Sequence, residues 1–299
     1  MAGKGETVAF QAQDSAERTE GEIGAVLRHL RRNRIAMVGL CIIVVFILCA
    51  VFAPFITAYD PIATDLGKAL KKPSAQHLFG TDELGRDLFS RILFGARISL
   101  IIGLISVAIG LALGVPIGAL TGYFGGKLDL FAQRVIDIMI AFPGILLAII
   151  VVTVLGVGVE NVMIATGIAS VPVYARLVRG SVLSIKKLGY ISAAKALGIG
   201  EAAIIFGHVL PNCIGPVIVQ STFQIATSIL WAAGLGFLGL GAQPPIPEWG
   251  AILSKGRVYM RVAPHLTTYP GLAIFFMVLG FNLLGDGLRD ALDPKSRKY

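Results

Sequence analysis

Four long apolar runs without a charged side chain constrain the fold of this chain more than any other feature. They are residues 35–56, 98–120, 138–156 and 213–240. Each is close to or longer than the roughly 20 residues with which an α-helix crosses the hydrocarbon core of a bilayer. Two weaker runs, residues 161–175 and 266–284, complete a set of six. The sequence therefore predicts an all-α integral membrane protein with six transmembrane helices.

The composition and the distribution of charge support a membrane protein. The chain is 55% hydrophobic and only 15% charged, as is typical of membrane proteins. Its net charge of +8 could suggest nucleic acid, but the basic residues flank the apolar runs. With the N-terminus in the cytoplasm, 17 of the 26 lysines and arginines fall on the cytoplasmic side and 9 on the other. This bias predicts a multi-pass membrane protein with both termini in the cytoplasm and no nucleic-acid partner.

The runs also predict the organisation of the chain. Residues 1–27 are expected to form a disordered cytoplasmic tail, 28–57 the first transmembrane helix and 58–96 an extracytoplasmic segment. Residues 97–289 hold the other five helices, and 290–299 form a cytoplasmic tail. Because the N-terminal stretch lacks the order of a cleavable signal peptide, the first helix is predicted to be an uncleaved anchor. The three cysteines show no CxxC spacing and are interpreted as packing residues.

Residues 190–212, YISAAKALGIGEAAIIFGHVLPN, are shaped like two short helices between transmembrane runs. Apolar residues recur at helical spacing through Leu197, and Gly198 can end that helix in a left-handed conformation. A second helix is predicted to start at Gly200 and to end at Pro211. Such a hairpin suits a groove on a soluble cytoplasmic partner. An amphipathic loop helix resting on the lipid headgroups is an equal alternative.

Two other groups of polar residues are candidates for contacts outside the bilayer or within it. An extracytoplasmic partner is a candidate for contact with Asp82, Glu83, Arg86, Asp87 and Trp249. The four charged residues are spaced for pairing along one helical turn, so a self-satisfied structural helix is the alternative. The run 213–240 is unusually polar for a lipid environment, which predicts that part of it faces protein or a water-filled pathway. The candidate pathway residues are Gln220, Gln224, Thr227 and Ser228.

Two further features lie at the start of the third run, residues 138–156, and within it. Arg134 and Asp137 are three residues apart and can neutralise each other near the cytoplasmic interface. A proton relay through Asp137 is the sharper alternative. Pro143, followed by a glycine, predicts a kink.

No catalytic or cofactor site is indicated by the remaining motifs. The glycines of residues 121–127 are one residue too closely spaced for a phosphate loop, and a leucine stands at the position of the magnesium-binding Ser or Thr. Residues 234–239 match GxGxxG, but they lie inside an apolar run without a preceding strand. The four histidines are scattered, and no spacing typical of metal ligands is present. An enzyme is therefore the poorer hypothesis.

Four separated motifs resemble one transporter family. Ser192-Ala193-Ala194, Gly198 and the segment from His208 to Pro211 are spaced as in the EAA loop of ABC-importer permeases, with Ser192 in place of the usual Glu and His208 in place of the usual Ile. The stretches FGTDELGRDLFSRILFGARISL, LGFLGLGAQPPIPEWGAIL and FNLLGDGLRDALDPK are similar to the peptide subfamily. They resemble the second permease of dipeptide, oligopeptide, glutathione and nickel importers. The resemblance covers residues 28–295.

The resemblance implies a type I ABC-importer (MetI-like) permease fold, with a five-helix core at residues 97–289 and coupling helices at 182–211. The implied partners are a second homologous permease, two cytoplasmic ATPases and an extracytoplasmic solute-binding protein, besides the lipid bilayer of the bacterial inner membrane. ATP and magnesium would be held by the ATPases, so this chain would bind no cofactor. Implied ATPase-coupling residues are Ser192, Ala193, Ala194, Lys195, Gly198, Glu201, His208, Leu210 and Pro211.

Within the coupling loop, the resemblance implies that Ala193, Ala194 and Gly198 pack closely in the ATPase groove. Leu210 and Pro211 would fix the exit of the helix, and Ser192, Lys195 and Glu201 would make polar contacts.

The cargo is predicted from weaker similarities. The stretches AFPGILLAI, ARLVRG and RVAPH look closest to glutathione and short-peptide transporters, which favours dipeptides or tripeptides over nickel. An ATP-independent channel or ion-coupled carrier would require a buried acidic residue at mid-membrane, for which Asp137 is the candidate. A membrane-embedded scaffold is a third alternative, and it would also act without an ATPase.

Overall fold

The structure is a computed structural model that describes Gly24 and residues 28–292. The predicted tails at residues 1–23, 25–27 and 293–299 lie outside the described residues. The described chain is helical, with one isolated β-bridge between Thr81 and Asp87. In chain order, the helices are α1 Arg34–Ile56, α2 Leu88–Phe124, α3 Gly126–Ala141, α4 Gly144–Leu155, α5 Val159–Ile185, α6 Gly189–Ala196, α7 Glu201–Ile204, α8 Leu210–Phe237, α9 Trp249–Gly256 and α10 His265–Leu292.

Five helices are long and apolar enough to cross a membrane: α1, α2, α5, α10 and the continuous helix Glu201–Phe237 that α7 and α8 form together. A sixth span results if α3 and α4 are counted as one. The residues between spans gather at two ends. The end with α6 and α7 is named the tip end, and the end with residues 57–87 and 238–264 is named the loop end.

The third predicted span is broken at Pro143. Helices α3 and α4 meet at an angle of 96°, so the predicted kink is confirmed and is much sharper than a bend within one helix. Phe142 has an extended backbone, with φ −89° and ψ 134°, because a residue before proline avoids the helical region. Residues 138–156 are therefore two separate helical pieces.

Helix α5 extends to Ile185, well beyond the end predicted for the fourth span at residue 175. Two arginines continue the helix because each has an acidic partner on α3. Arg176 Nη2 lies 2.7 Å from Asp137 Oδ1, and Arg179 donates to both carboxylate oxygens of Asp129 at 2.6 and 2.7 Å. The predicted pair of Asp137 with Arg134 is wrong, since α5 supplies the partner from another helix.

Helices α2 and α5 pack closely along a row of glycines on α2. The row recurs every four residues and consists of Gly110, Gly114, Gly118 and Gly122. A Cβ atom at Gly114 would lie only 2.6 Å from Tyr174 Cβ and 2.7 Å from the carbonyl oxygen of Val171. Small residues at four-residue spacing allow two membrane helices to approach closely enough for continuous van der Waals contact. The sequence-based predictions did not include this row, although glycines at four-residue spacing are visible in the sequence.

The other spans assemble around this pair. Helix α8 lies between α2 and α10, where Gly103 of α2 faces Ile225 and Ile229. Helix α1 packs on α10, with Gly39 against Gly280. The outer faces of the spans leave many large apolar side chains exposed, as lipid or other membrane subunits require.

We expect Gly114→Ala to destabilise the protein because the new methyl group overlaps the backbone and side chain of α5. Overpacking of this kind costs about 1–3 kcal/mol. The matched control is Gly180→Ala on α5, where a Cβ meets nothing within 4 Å. Thermal unfolding of the detergent-solubilised protein measures both, and equal midpoints for the two variants would contradict the close packing.

Candidate functional site

The predicted helix–glycine–helix is present at the tip end. Helix α6 ends at Ala196 with Leu197 as its C-cap, and the next residue, Gly198, has a φ of +76°. The N–H of Gly198 donates to the carbonyl of Lys195 at 3.0 Å, and the N–H of Ile199 donates to the carbonyl of Ala194 at 3.1 Å. These two bonds form a Schellman cap, which favours glycine at the left-handed position. Helix α7 follows with Gly200 at its N-cap. The predicted end of the first helix and the predicted start of the second are therefore confirmed.

The second helix does not end at Pro211. Residues Ile205–Val209 form a π turn that leads directly into α8, where Pro211 occupies the first turn. A proline removes one backbone donor and crowds the preceding turn of an α-helix. The wider π turn lies just where that conflict would arise. The prediction that Leu210 and Pro211 fix a helix exit is therefore wrong, because they join the hairpin to a transmembrane span.

One face of the hairpin packs on the chain's own spans. Ile191 and Ala194 of α6 are buried beside Val178 and Val182 of α5. The following helix contributes Ile204, Ile205, Val209 and Cys213 to the same cluster. The Nζ of Lys186 also donates to the carbonyl of Gly122 at 2.8 Å. The predicted contact of Ala194 with a partner is therefore corrected: Ala194 anchors the hairpin to its own bundle.

The opposite face of the hairpin is open to solvent, and it is named the tip surface. It consists of Ser192, Ala193, Leu197, Gly198, Glu201 and Phe206. Leu197 is 81% exposed and Phe206 is 70% exposed. Leu197 continues the apolar spacing of α6, but it is the C-cap of that helix and is not part of the buried face. Phe206 was not among the predicted site residues. Its apolar side chain does not belong to the buried face of the helix, and this mismatch could have identified it. Exposed apolar side chains clustered beyond a span indicate a contact surface.

Two other predicted coupling residues interact with their own chain beside the tip surface. The Nζ of Lys195 lies 4.8 Å from the centre of the Tyr123 ring, which is a cation–π distance. The ring of His208 is half-buried, with its centre 6.5 Å from that of Tyr190. Both side chains therefore border the surface and help to fix its shape.

The polar residues of α8 are divided between the interior and a cavity. Gln224 and Ser228 are buried, and Gln224 Nε2 and Ser228 Oγ have no hydrogen-bond partner within the described residues. Thr227 donates to the carbonyl of Phe223 at 3.0 Å. Gln220 lines a cavity of about 470 Å³ between α5, α8 and α10, together with Arg289. Of the four predicted pathway residues, Gln220 lines this cavity.

At the loop end, the charged residues predicted to contact a partner mainly satisfy one another. Arg86 Nε lies 2.6 Å from Asp82 Oδ2, and Asp87 caps α2 by accepting from the N–H of Ser90 at 2.8 Å. Both aspartates and Arg86 are buried. They lie in a turn before α2 and not along a helix. Glu83 is the one of the four whose side chain remains partly exposed.

Trp249, the remaining predicted partner contact, is fully buried at the start of α9. Its Nε1 donates to the carbonyl of Ile92 on α2 at 3.0 Å. A tryptophan with a satisfied N–H inside the protein is a packing anchor. The prediction of direct contact with a partner is thus corrected for four buried residues, Trp249, Asp82, Arg86 and Asp87. It stays a prediction for Glu83.

Glu248 caps α9 from a buried position. Its carboxylate accepts from the N–H of Gly250 at 2.7 Å and from the N–H of Ala251 at 2.8 Å. Burial raises the pKa of Glu248 to about 7, although the two backbone donors act in the lowering direction. The loop end therefore contains an acid that titrates near neutral pH.

The glycine motifs lie in positions unsuited to phosphate. Residues 234–237 of the GxGxxG match form the C-terminal turn of α8, where backbone carbonyls give a negative potential that repels anions. The first glycines of residues 121–127 likewise end α2. Among the described residues, no group of three His, Cys, Asp or Glu side chains is placed to hold a metal ion.

Two family descriptions match the sequence. Residues 114–298 match "Binding-protein-dependent transport system inner membrane component", and residues 23–73 match "N-terminal TM domain of oligopeptide transport permease C". The dipeptide transport system permease protein DppC of Alkalihalophilus pseudofirmus is 50% identical, over 90% of this chain and 89% of its own. The glutathione transport system permease protein GsiD of Escherichia coli O1:K1 is also 50% identical, with the same coverage.

A solved structure shares the fold. It is a chain of the MetNI methionine ABC transporter in an inward-facing conformation, with a TM-score of 0.57 and 20% identity. The match covers 68% of this chain and 96% of that chain. A second crystal form of the same transporter gives a TM-score of 0.56.

We expect the two faces of the hairpin to respond differently to the same truncation. Ile191→Ala removes a buried side chain and should destabilise the protein by about 2–5 kcal/mol. Leu197→Ala removes an exposed side chain and should change stability by less than about 0.5 kcal/mol. Thermal unfolding in detergent compares the two variants. A comparable loss for Leu197→Ala would show that this side chain packs within the chain.

We expect the stability of the wild type to fall relative to Glu248→Gln as the pH rises. The pKa of Glu248 in the folded state, about 7, exceeds its ordinary value of 4.5. The stabilisation by the protonated side chain is therefore fully present below pH 4.5 and is lost as the pH rises through about 7. The relative change amounts to at most roughly 3 kcal/mol. Midpoints of thermal unfolding at about pH 5 and about pH 8 give the comparison. A pH-independent difference would contradict the raised pKa.

Proposed function

The chain belongs to the family of binding-protein-dependent transport system inner membrane components, and on this premise we propose that it forms half of the pathway of an ATP-driven importer of short peptides. The cargo is proposed from relatives named for dipeptide and glutathione transport. Glutathione is itself a tripeptide, so a pathway of one size accommodates both dipeptides and glutathione. The same names favour peptides over nickel as the cargo.

The proposed assembly contains a second permease of the same fold, two cytoplasmic ATPases and an extracytoplasmic solute-binding protein. The tip end is assigned to the cytoplasm, in agreement with the excess of basic residues predicted for that side. The loop end then faces the binding protein. ATP and magnesium are assigned to the ATPases, and this chain contributes the mechanical connection and one wall of the pathway.

The observation that carries the proposal is the tip surface. Leu197 and Phe206 are apolar and largely exposed on the hairpin at the tip end of the spans. An apolar helix hairpin of this kind fits a groove on a partner protein. Gly198 shapes the turn between its two helices, and nothing lies within 4 Å of the position of its Cβ, so a partner surface can approach the backbone closely.

The hairpin is also built to transmit movement. Its packed face is anchored to the ends of α2 and α5 through Ile191. Lys186, at the end of α5, ties that end to α2 by donating to the carbonyl of Gly122. Its second helix continues through the π turn into the span that carries Gln220 and Gln224. When ATP binding and hydrolysis move the ATPases, a rigid hairpin seated in an ATPase groove would shift these spans. Such rocking of packed helices opens a pathway alternately to the two sides of a membrane.

The cavity beside Gln220 is proposed as part of that pathway. It lies between α5, α8 and α10 in the half of the bundle nearer the tip end. Its lining combines the amide of Gln220 and the guanidinium of Arg289 with apolar side chains such as Phe223. Polar groups beside a cavity suit the passage of a hydrated peptide backbone, and the second permease would close the opposite wall.

We expect Gly198→Asp to reduce peptide uptake at least roughly tenfold, equivalent to about 1.4 kcal/mol of lost coupling. The substitution strains a left-handed residue and places a charge on the apolar tip surface. Membrane insertion should stay intact. Uptake and ATP hydrolysis are measured on the reconstituted complex with its binding protein. Ser184→Asp is the matched control, since Ser184 is exposed on α5 outside the tip surface.

Normal uptake by Gly198→Asp would remove the tip surface from the coupling mechanism. A separate measurement tests the class of transporter: the tagged chain is purified in mild detergent and its companions are identified by mass spectrometry. Recovery of a second permease and of ATPases supports the importer. Uptake by the chain alone in liposomes without ATP would instead favour a channel or an ion-coupled carrier.

A further inference from the structure

A second cavity, of about 530 Å³, lies at the loop end. It separates the turn before α2 from the segment that runs from the end of α8 through α9. Its volume lies within the roughly 300–1,000 Å³ typical of small-molecule sites. The cavity is far along α8 from the tip surface and is distinct from the cavity beside Gln220.

The walls of this cavity are fixed by one arginine. Arg91, in the first turn of α2, donates from Nη1 to the carbonyl of Pro61 at 2.9 Å and to that of Pro245 at 3.4 Å. Its Nε lies 3.4 Å from Asp82 Oδ2. Because these partners come from three separate segments, Arg91 holds the two walls together. A cavity braced in this way is formed before any ligand arrives, which lowers the entropic cost of binding.

The charges of the lining leave one cation without a partner. Asp82 lies between Arg86 and Arg91 and is fully occupied by them and by two backbone N–H groups. The side chain of Lys255 on α9 is exposed and makes no ion pair or side-chain hydrogen bond to any other described residue. An ammonium group at a cavity wall with no carboxylate to neutralise it attracts an anionic group of a ligand.

An acidic group of the lining is available for the opposite charge. Glu83 contacts Arg86 only at 3.4 Å, whereas Arg86 already holds Asp82 at 2.6 Å. Its side chain is partly exposed to the cavity, so Glu83 can turn to a ligand ammonium without leaving Arg86 unpaired.

Apolar side chains cover much of the remaining wall. They include Leu84, Ile246, Ile252, Val258 and Leu266. A ligand that satisfies the whole lining carries a carboxylate, an ammonium group and small side chains between them. We propose that this cavity binds a short peptide through its free termini, with the carboxylate at Lys255 and the ammonium group at Glu83. The assignment rests on the proposed function and adds a receiving site on the extracytoplasmic side of this chain.

The test uses the full transporter in nanodiscs without the binding protein. The probes are trialanine, its C-terminal amide and its N-acetyl derivative, which compete with radiolabelled trialanine in equilibrium dialysis. One charge-assisted contact is worth roughly tenfold in affinity, so the wild type should prefer trialanine to each derivative by about that factor. Lys255→Gln should abolish the preference over the amide alone, and Glu83→Gln the preference over the N-acetyl form alone.

Lys72→Gln is the matched control because Lys72 is an exposed lysine of the same end outside the cavity. It should retain both preferences. The cavity assignment is overturned if Lys255→Gln still discriminates against the amide, or if the wild type shows no saturable binding, as when a partner loop or a lipid headgroup fills the cavity. Thermal midpoints confirm that Lys255→Gln and Glu83→Gln remain folded.

The proposed function is tested separately by ATP-dependent uptake of trialanine by the wild type with its binding protein. Uptake that requires ATP, together with variants that lose neither preference, overturns the cavity assignment alone. Uptake that does not require ATP overturns the proposal of an ATP-driven importer. In that case, selective loss of the two binding preferences in the variants still supports the cavity assignment.

Discussion

The close contact of α2 with α5 is the interaction on which the rest of the structure depends. Lipid tails are as apolar as leucine, so association of these helices depends on van der Waals contact and polar bonds. The glycine row from Gly110 to Gly122 provides that contact over about three helical turns. One end of the pair supports α6 through Val178 and Val182. The other end presents Arg91, which braces the loop end.

Charges within the bundle are neutralised across helices and not along them. Arg176 and Arg179 allow α5 to reach the tip end because α3 presents Asp137 and Asp129 at the right height. The same pairs tie α3 to α5 beyond the break at Pro143. An unpaired charge at these positions would be costly near hydrocarbon. The long α5 and the broken α3–α4 pair therefore require one another.

The continuous helix from Glu201 to Phe237 connects the two proposed sites. Its first turn carries part of the tip surface, and its last turns contact the carboxylate of Glu248 and line the loop-end cavity through Gly236. A rigid helix transmits displacement along its length, and the π turn at Ile205–Val209 lies close to the tip end of this helix. A docking event at one end of the bundle can therefore alter the cavity at the other end through a single element.

The sequence alone determined the features that depend on neighbouring residues. The apolar runs predicted the spans, Gly198 the left-handed cap and Pro143 the break, because hydropathy and backbone preferences act over a few residues. Only the tertiary structure decided which residues face outward and which charges meet. Leu197 fits the helical pattern yet points to solvent, and the partner of Asp137 comes from 39 residues away. Such outcomes depend on how helices are placed in space, which local spacing does not specify.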